Sequence, residues 1–347
     1  MNGVKMKNTA LLVLFALSLP LLAMAQSLTN PGVSPGPGVR YATDAYPGFD
    51  CEEDDINPQR KEPKWFSFLN GPDRDNPADQ FAYCENLVAE AHESKAAKQF
   101  DALVREWPTS PEASRAQLRL AELKLKAFDS EQAFKEYRYL LDFYALECDY
   151  DAVAQKLYKI ANLMRDEGKR IVFFRFKNTV DVRRAFEAAV LRAPGASWAA
   201  QALLTIASLR EEEGKWNEAI KVYENLCNIY PDTQEAKKAV LLEARARMKV
   251  LRDCEYNRAR SVDTHDFLKQ ALLSCQEESV VEIKELLDEV SALLEREAFL
   301  AAEFYDSKMR TARSAINAYE KFLSEYPNGK YAPLVASRLE ELKGSTK

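Results

Sequence analysis

Ala219-Ile220-Lys221-Val222-Tyr223-Glu224-Asn225-Leu226-Cys227-Asn228-Ile229-Tyr230-Pro231 reads as the second helix of a helical hairpin, ended by its proline. Ala219 and Tyr223 stand one turn apart on one face. The alanine lets a neighbouring helix come close, and the ring fills the space beside it. Pro231 cannot continue the backbone ladder, so the helix stops there. The same aromatic-to-proline spacing recurs at Phe100/Pro108, Phe186/Pro194 and Tyr319/Pro327, and Ala96 and Ala315 repeat the alanine four residues before the ring. Ala133/Tyr137 belongs to the series but has Ala145 where the proline would stand. Twelve residues before three of these alanines lies another small residue: Cys84, Ala121 and Ala207. It places a second close contact on the first helix of each pair.

Outward from this pattern, helical pairs are predicted at 78–94 with 95–106, 110–127 with 130–144, 149–167 with 181–193, and 197–213 with 216–229. Phe128-Asp129-Ser130 is the turn of the second pair, with Asp129 or Ser130 as N-cap, and Gly214-Lys215 is the turn of the fourth. Helices are also expected at 233–253, 279–307 and 311–325, with a capping helix at 330–342. After residue 77 glycine is sparse and Ala, Leu, Glu, Lys and Arg dominate, a helical composition. Each hairpin can bury its apolar face only against its neighbours. The expected fold is an all-α, right-handed superhelical solenoid of about five hairpins and a C-terminal cap, over 78–343. Two inserts interrupt it. Residues 168–180 carry Phe173, Phe174 and Phe176, a run that needs burial in its own solenoid or against a partner. Residues 254–277 read as polar and irregular.

Residues 1–25 read as a cleaved secretory signal: Lys5 and Lys7, an apolar run from Ala10 to Leu22, then Ala23-Met24-Ala25. No cysteine follows this site to accept a lipid; the first is Cys51. No later stretch is apolar for the ~20 residues that a spanning helix needs. The expected location is the periplasm, with membrane association only through partners. Residues 26–77 hold eight of the 15 prolines and are expected to be extended or disordered. Within them lie an acidic cluster, Cys51 to Asp55, and an aromatic one, Trp65 to Phe68. The latter is either a partner motif or a cap docked on the first helices. Six cysteines in an exported chain allow disulfides, and Cys254/Cys275 is the pair to test first. Cys84, Cys148 and Cys227 read as buried helix residues.

Without Lys5 and Lys7 the net charge moves from −6 to about −8, which argues against bulk nucleic-acid binding. The segment 237–260 is basic and 277–297 acidic; they form either a docking face or two neighbours that neutralise each other. Gly168-Lys169, Gly214-Lys215 and Gly329-Lys330 lack the rest of a phosphate loop. There is no G-x-S-x-G elbow and no zinc or calcium spacing. His92 and His265 are the only histidines. No enzyme activity and no cofactor are expected.

The repeated spacing resembles tetratricopeptide repeats, whose two-helix unit runs to about 34 residues. Two stretches resemble the narrower BamD/YfiO family of outer-membrane β-barrel assembly. Gln99-Phe100 through Glu122 is similar to the family's first repeat. Ala301 to Tyr305 with Ala315 to Pro327 is similar to its last repeat. Ala318 stands after Asn317 where the family often has an arginine. The resemblance implies a non-enzymatic scaffold that binds the barrel-inserting outer-membrane protein, unfolded barrel peptides, or both. The candidate partner surface in the stretch similar to the last repeat is Phe304, Tyr305, Lys308, Arg310 and Arg313; apart from the resemblance, the aromatic insert offers Phe173, Phe174 and Phe176 as a second candidate. A different periplasmic repeat adaptor, serving cell-wall or other envelope machinery, is the alternative.

Overall fold

The computed structural model describes residues 46–50, 59–62, 71–170, 175–253, 257–308 and 312–345. The signal segment, Cys51 to Asp55, Trp65 to Phe68, Phe173, Phe174, Cys254 and Arg310 lie outside the described residues, as do the side chains of Phe176 and Lys308. Among the described residues there are α-helices and one 3-10 turn and no strand. The chain divides into two compact units, up to Gly214 and from Lys215.

In the first unit the helices are α1 (Pro77–Ala89), α2 (Glu93–Glu106), α3 (Pro111–Lys126), α4 (Ser130–Phe143), α5 (Tyr150–Arg170), α6 (Arg175–Arg192) and α7 (Ala199–Glu212). Successive helices pack against each other as hairpins. Cys84, Ala96, Phe100, Ala121, Ala133, Tyr137, Phe186 and Ala207 are all fully buried. The first two hairpins repeat at 37 residues, and their turns are built alike. The Ala91 N–H donates to the Val88 carbonyl and that of His92 to Leu87; 37 residues on, Phe128 donates to Leu125 and Asp129 to Lys124. Each turn is a Schellman cap with one residue in the left-handed region, Ala91 at φ +62° and Phe128 at φ +59°. Gly214, at φ +75°, takes the same conformation after α7.

This cap corrects the expected end of the first helix. It stops at Ala89, because the left-handed Ala91 breaks the ladder before Ser94. The insert at 168–180 is also smaller than expected. α5 runs through Arg170 and α6 begins at Arg175, since no proline or glycine stands between Arg170 and Pro194 to stop either.

The second unit contains α8 (Trp216–Ile229), α9 (Gln234–Asp253), α10 (Arg258–Ser274), α11 (Val280–Lys308), α12 (Ala312–Glu325) and α13 (Ala332–Ser345). Ala219, Tyr223, Ala315 and Tyr319 are buried. α11 has 29 residues and serves two cores. Its first half sends Ile283, Val290 and Leu294 against Met248 of α9 and Leu268 of α10. Its second half packs Ala302 against Tyr319 and Phe322 of α12 and Val335 of α13. α10 overturns the expectation that 254–277 is irregular. Its buried positions Ser261, Thr264, Leu268 and Ala271 recur at helical spacing, but two of them are polar. An apolar periodicity therefore never shows. Ser261 is satisfied inside by the Asn257 carbonyl and Glu297, each at 3.3 Å, and the Asn257 side chain caps the helix.

Candidate functional site

The C-terminal hairpin of the second unit carries a cavity of about 350 Å3 between α11, α12 and α13. Phe299, Tyr319, Leu334 and Val335 give it apolar walls, and Glu303, Asp306 and Arg338 line it with charge. Arg338 grips Asp306 with two hydrogen bonds of 2.8 and 3.3 Å, and the Tyr319 hydroxyl donates to the same carboxylate at 3.1 Å. The Arg338 guanidinium holds the Asp306 carboxyl below its usual range, while burial pushes the Tyr319 phenol up to about 12. Beside the cavity, on α11, Phe304 and Tyr305 meet edge to face with centroids 6.1 Å apart, and their exposures are 55% and 42%. Arg313, at the start of α12, is exposed. Asp306 and Arg338, which line the cavity, carried no signal in the sequence beyond ordinary helix charges; Phe304 and Tyr305 do not line it but precede Asp306 on α11.

The basic and acidic segments of this unit pair with each other. Arg245 makes two bonds to Glu282 (2.6 and 2.8 Å), and Arg252, seven residues on, makes two to Glu289 (2.9 and 2.6 Å). Seven residues are two helical turns, so both pairs lie along one seam between α9 and α11. Deeper in, Arg247 binds Glu243, Glu224 and Asp263 at 2.5–2.7 Å and lies over the Phe267 ring. Arg245 and Arg252 of the basic segment are thus neutralised by Glu282 and Glu289 of the acidic one, while Arg247 is neutralised by carboxylates outside it.

In the first unit the described parts of the N-terminal segment are not free. They lie across the helices as an arm without regular structure. Gln80 and Gln99 hold residues 71–74 against α1 and α2 through bonds to Asp73 and Arg74 N–H and the Gly71 carbonyl. Lys61 enters between Asp101, Gln117 and Glu136. Residues 46–50 reach α6 and α7, where Tyr46 is buried and stacks on Phe49 at 4.9 Å. There Arg210 donates to the Gly48 carbonyl at 2.6 Å, and Asp50 N–H donates to Glu187 at 3.2 Å. Beneath them Arg183 bonds Glu187 (2.6 Å) and Glu213 (2.7 Å), all within the protein interior. Burial of charges on this scale is tolerated only with paired partners. In the sequence, Arg183 and Glu187 look like a solvated i,i+4 pair. Only the arm above them shows otherwise.

Burial pushes the Cys84 thiol up to about 12 and those of Cys148 and Cys227 to about 11. Cys275 is a free thiol 3.9 Å from the Leu272 carbonyl; its expected partner Cys254 lies outside the described residues. His265 meets Asp266 at 3.2 Å, and His92 is an exposed residue at the start of α2. Among the described residues no group of three His, Cys, Asp or Glu could hold a metal, and no helix is long and apolar enough to cross a membrane.

Residues 198–345 match the YfiO family, described as outer membrane lipoprotein. No curated protein matches the chain. Among solved structures the chain is similar to the TPR2AB-domain:pHSP90 complex of yeast Sti1, at 17% identity over 63% of this chain and 86% of that one, TM-score 0.29. It is similar to a tetratricopeptide repeat protein from Parabacteroides merdae, at 10% identity over 77% and 98%, TM-score 0.27, and to MamA protein, at 15% over 59% and 94%, TM-score 0.28. Similarity at this level carries no argument about binding. The family match, over residues 198–345, falls on the helices that hold Phe304, Tyr305 and the α11–α13 cavity, and this part of the chain is similar to the BamD/YfiO type.

Proposed function

We propose that this protein is an envelope scaffold of outer-membrane β-barrel assembly, which binds the barrel-inserting protein, unfolded barrel segments, or both. The YfiO match over residues 198–345 carries the reading. The surface that supports it best is the exposed Phe304–Tyr305 pair beside the cavity lined by Tyr319 and Arg338. An exposed aromatic pair next to an apolar cavity with a charged rim suits a protein partner. The action is positioning, with no bond made or broken.

The test is affinity purification from envelopes with the wild-type chain and with Phe304→Ser/Tyr305→Ser. Both side chains are exposed, so the thermal midpoint should not move. The wild type should recover an outer-membrane barrel-assembly protein, and the double variant should lose it. Recovery of cell-wall synthesis proteins alone by the wild type would sink the reading.

A further inference from the structure

One ammonium group of the arm is enclosed by three helices of the first unit. Lys61 Nζ lies 2.6 Å from Glu136, 2.9 Å from Asp101 and 3.3 Å from Gln117, and 5.1 Å over the Tyr139 ring. Its backbone N–H donates to the Tyr139 hydroxyl at 3.0 Å. Next to it the Arg60 guanidinium lies 5.0 Å over the Phe143 ring, with Nη1 3.5 Å from the Pro108 carbonyl. Gln117 is fully buried and its amide donates to the Glu136 carbonyl and carboxylate, both at 2.8 Å. Two members of the cage, Gln117 and Glu136, are therefore joined to each other within the α3–α4 hairpin by bonds that do not involve the arm. Arg105 meets the other oxygen of Asp101 at 3.1 Å, which leaves the cage one negative charge in excess when Lys61 is absent.

The arm here is held by little else. Gln59, Arg60 and Glu62 are exposed, and no apolar side chain of residues 59–62 is buried. Its firm anchors lie on either side, at Tyr46 to Asp50 and at residues 71–74. A surface of two carboxylates, a preset glutamine and the Tyr139 and Phe143 rings is matched to an extended backbone with consecutive arginine and lysine. The ring under Arg60 and the bond to the Lys61 backbone select a peptide over a free amine.

We infer that the α2–α3–α4 surface is a binding site for extended protein segments bearing an Arg-Lys pair, and that residues 59–62 occupy it in cis until such a segment displaces them. The tether gives the arm an effective concentration in the millimolar range. A partner's segment therefore binds weakly while the arm is seated and more tightly once it is not. This site lies outside the residues matched to the family and is independent of the proposed function.

The probe is a fluorescent peptide of residues 56–64, Ile-Asn-Pro-Gln-Arg-Lys-Glu-Pro-Lys, added to the full chain. Lys61→Glu repels the arm from the cage and leaves the cage intact. It should bind the peptide at least tenfold more tightly than the wild type. Adding Glu136→Gln, or replacing the peptide's Arg-Lys pair by Ala-Ala, should abolish that gain. A gain under threefold, or equal binding of the Ala-Ala peptide, overturns the inference. If Lys61→Glu folds poorly, hydrogen exchange on the wild type decides: excess peptide should speed exchange of the Lys61 amide at least tenfold, and an unchanged rate overturns the inference.

Discussion

Replacing Asp142 by Asn asks what holds successive hairpins of the first unit together. Asp142 on α4 and Arg192 at the end of α6 make two parallel hydrogen bonds of 2.8 Å, and both residues are about 3% exposed. Arg192 is fixed further by a 3.0 Å bond to the Ala188 carbonyl, while its own carbonyl accepts from the Tyr150 hydroxyl at 2.7 Å. It cannot swing out to water. Asparagine keeps the shape of the aspartate but removes the carboxylate charge that the buried guanidinium pairs with. Breaking a buried pair from one side costs about 3–5 kcal/mol. Repeat arrays need not melt as one unit, so a single midpoint is a poor measure of this. Amide exchange resolved along α4, α5 and α6 is the better assay. At ~1.36 kcal/mol per tenfold change, the penalty corresponds to exchange faster by about two to three and a half powers of ten. The double replacement Asp142→Leu with Arg192→Met should recover most of the protection, since an apolar pair leaves no charge to compensate. An acceleration below tenfold in Asp142→Asn would show that apolar packing around the pair, and not the pair, sets the local stability.

Three further outcomes are expected. Phe128 is 89% exposed and held at φ +59°, so Phe128→Gly removes strain at no packing cost and should stabilise by about 0.5–1 kcal/mol in urea denaturation; a loss would contradict the cap. Burial pushes the Glu243 carboxyl up to about 7, against the pull of Arg247 and with Glu224 and Asp263 adding to the rise. Its folded form prefers the proton, so stability present below about pH 4.5 is lost as pH climbs through 7, by up to about 3 kcal/mol; Glu243→Gln should flatten that slope, and an unchanged slope would absolve this residue. The Arg245–Glu282 and Arg252–Glu289 pairs are half-exposed, so Arg245→Ala with Arg252→Ala should cost no more than about 2 kcal/mol and less in high salt. A larger, salt-independent loss would mean that these arginines pack as well as pair.

The hairpin positions were legible because their signal is local. A small residue and a ring one turn apart, followed by a helix stop, describe a helix face and its end without reference to anything distant. The charged segments were legible in sign, but the seam that joins Arg245 to Glu282 needed the facing helix. α10 was missed because Ser261 and Thr264 take core positions with their hydroxyl groups satisfied by neighbours that the sequence does not identify. The clasp of Arg183 and Arg210 was missed for a related reason: each reads as an ordinary helix arginine until the arm covers it.

Spacing along the chain was enough to establish an all-helical repeat, the residues of its core and the resemblance of its last hairpin to the YfiO type. Which charges are buried, which loop carbonyl meets Arg210 and which carboxylates enclose Lys61 were decided by the tertiary structure alone. A helix is specified by neighbours three and four residues away. An ion pair across 75 residues, such as Lys61 with Glu136, exists only after several helices have packed and withdrawn the water that would otherwise screen it.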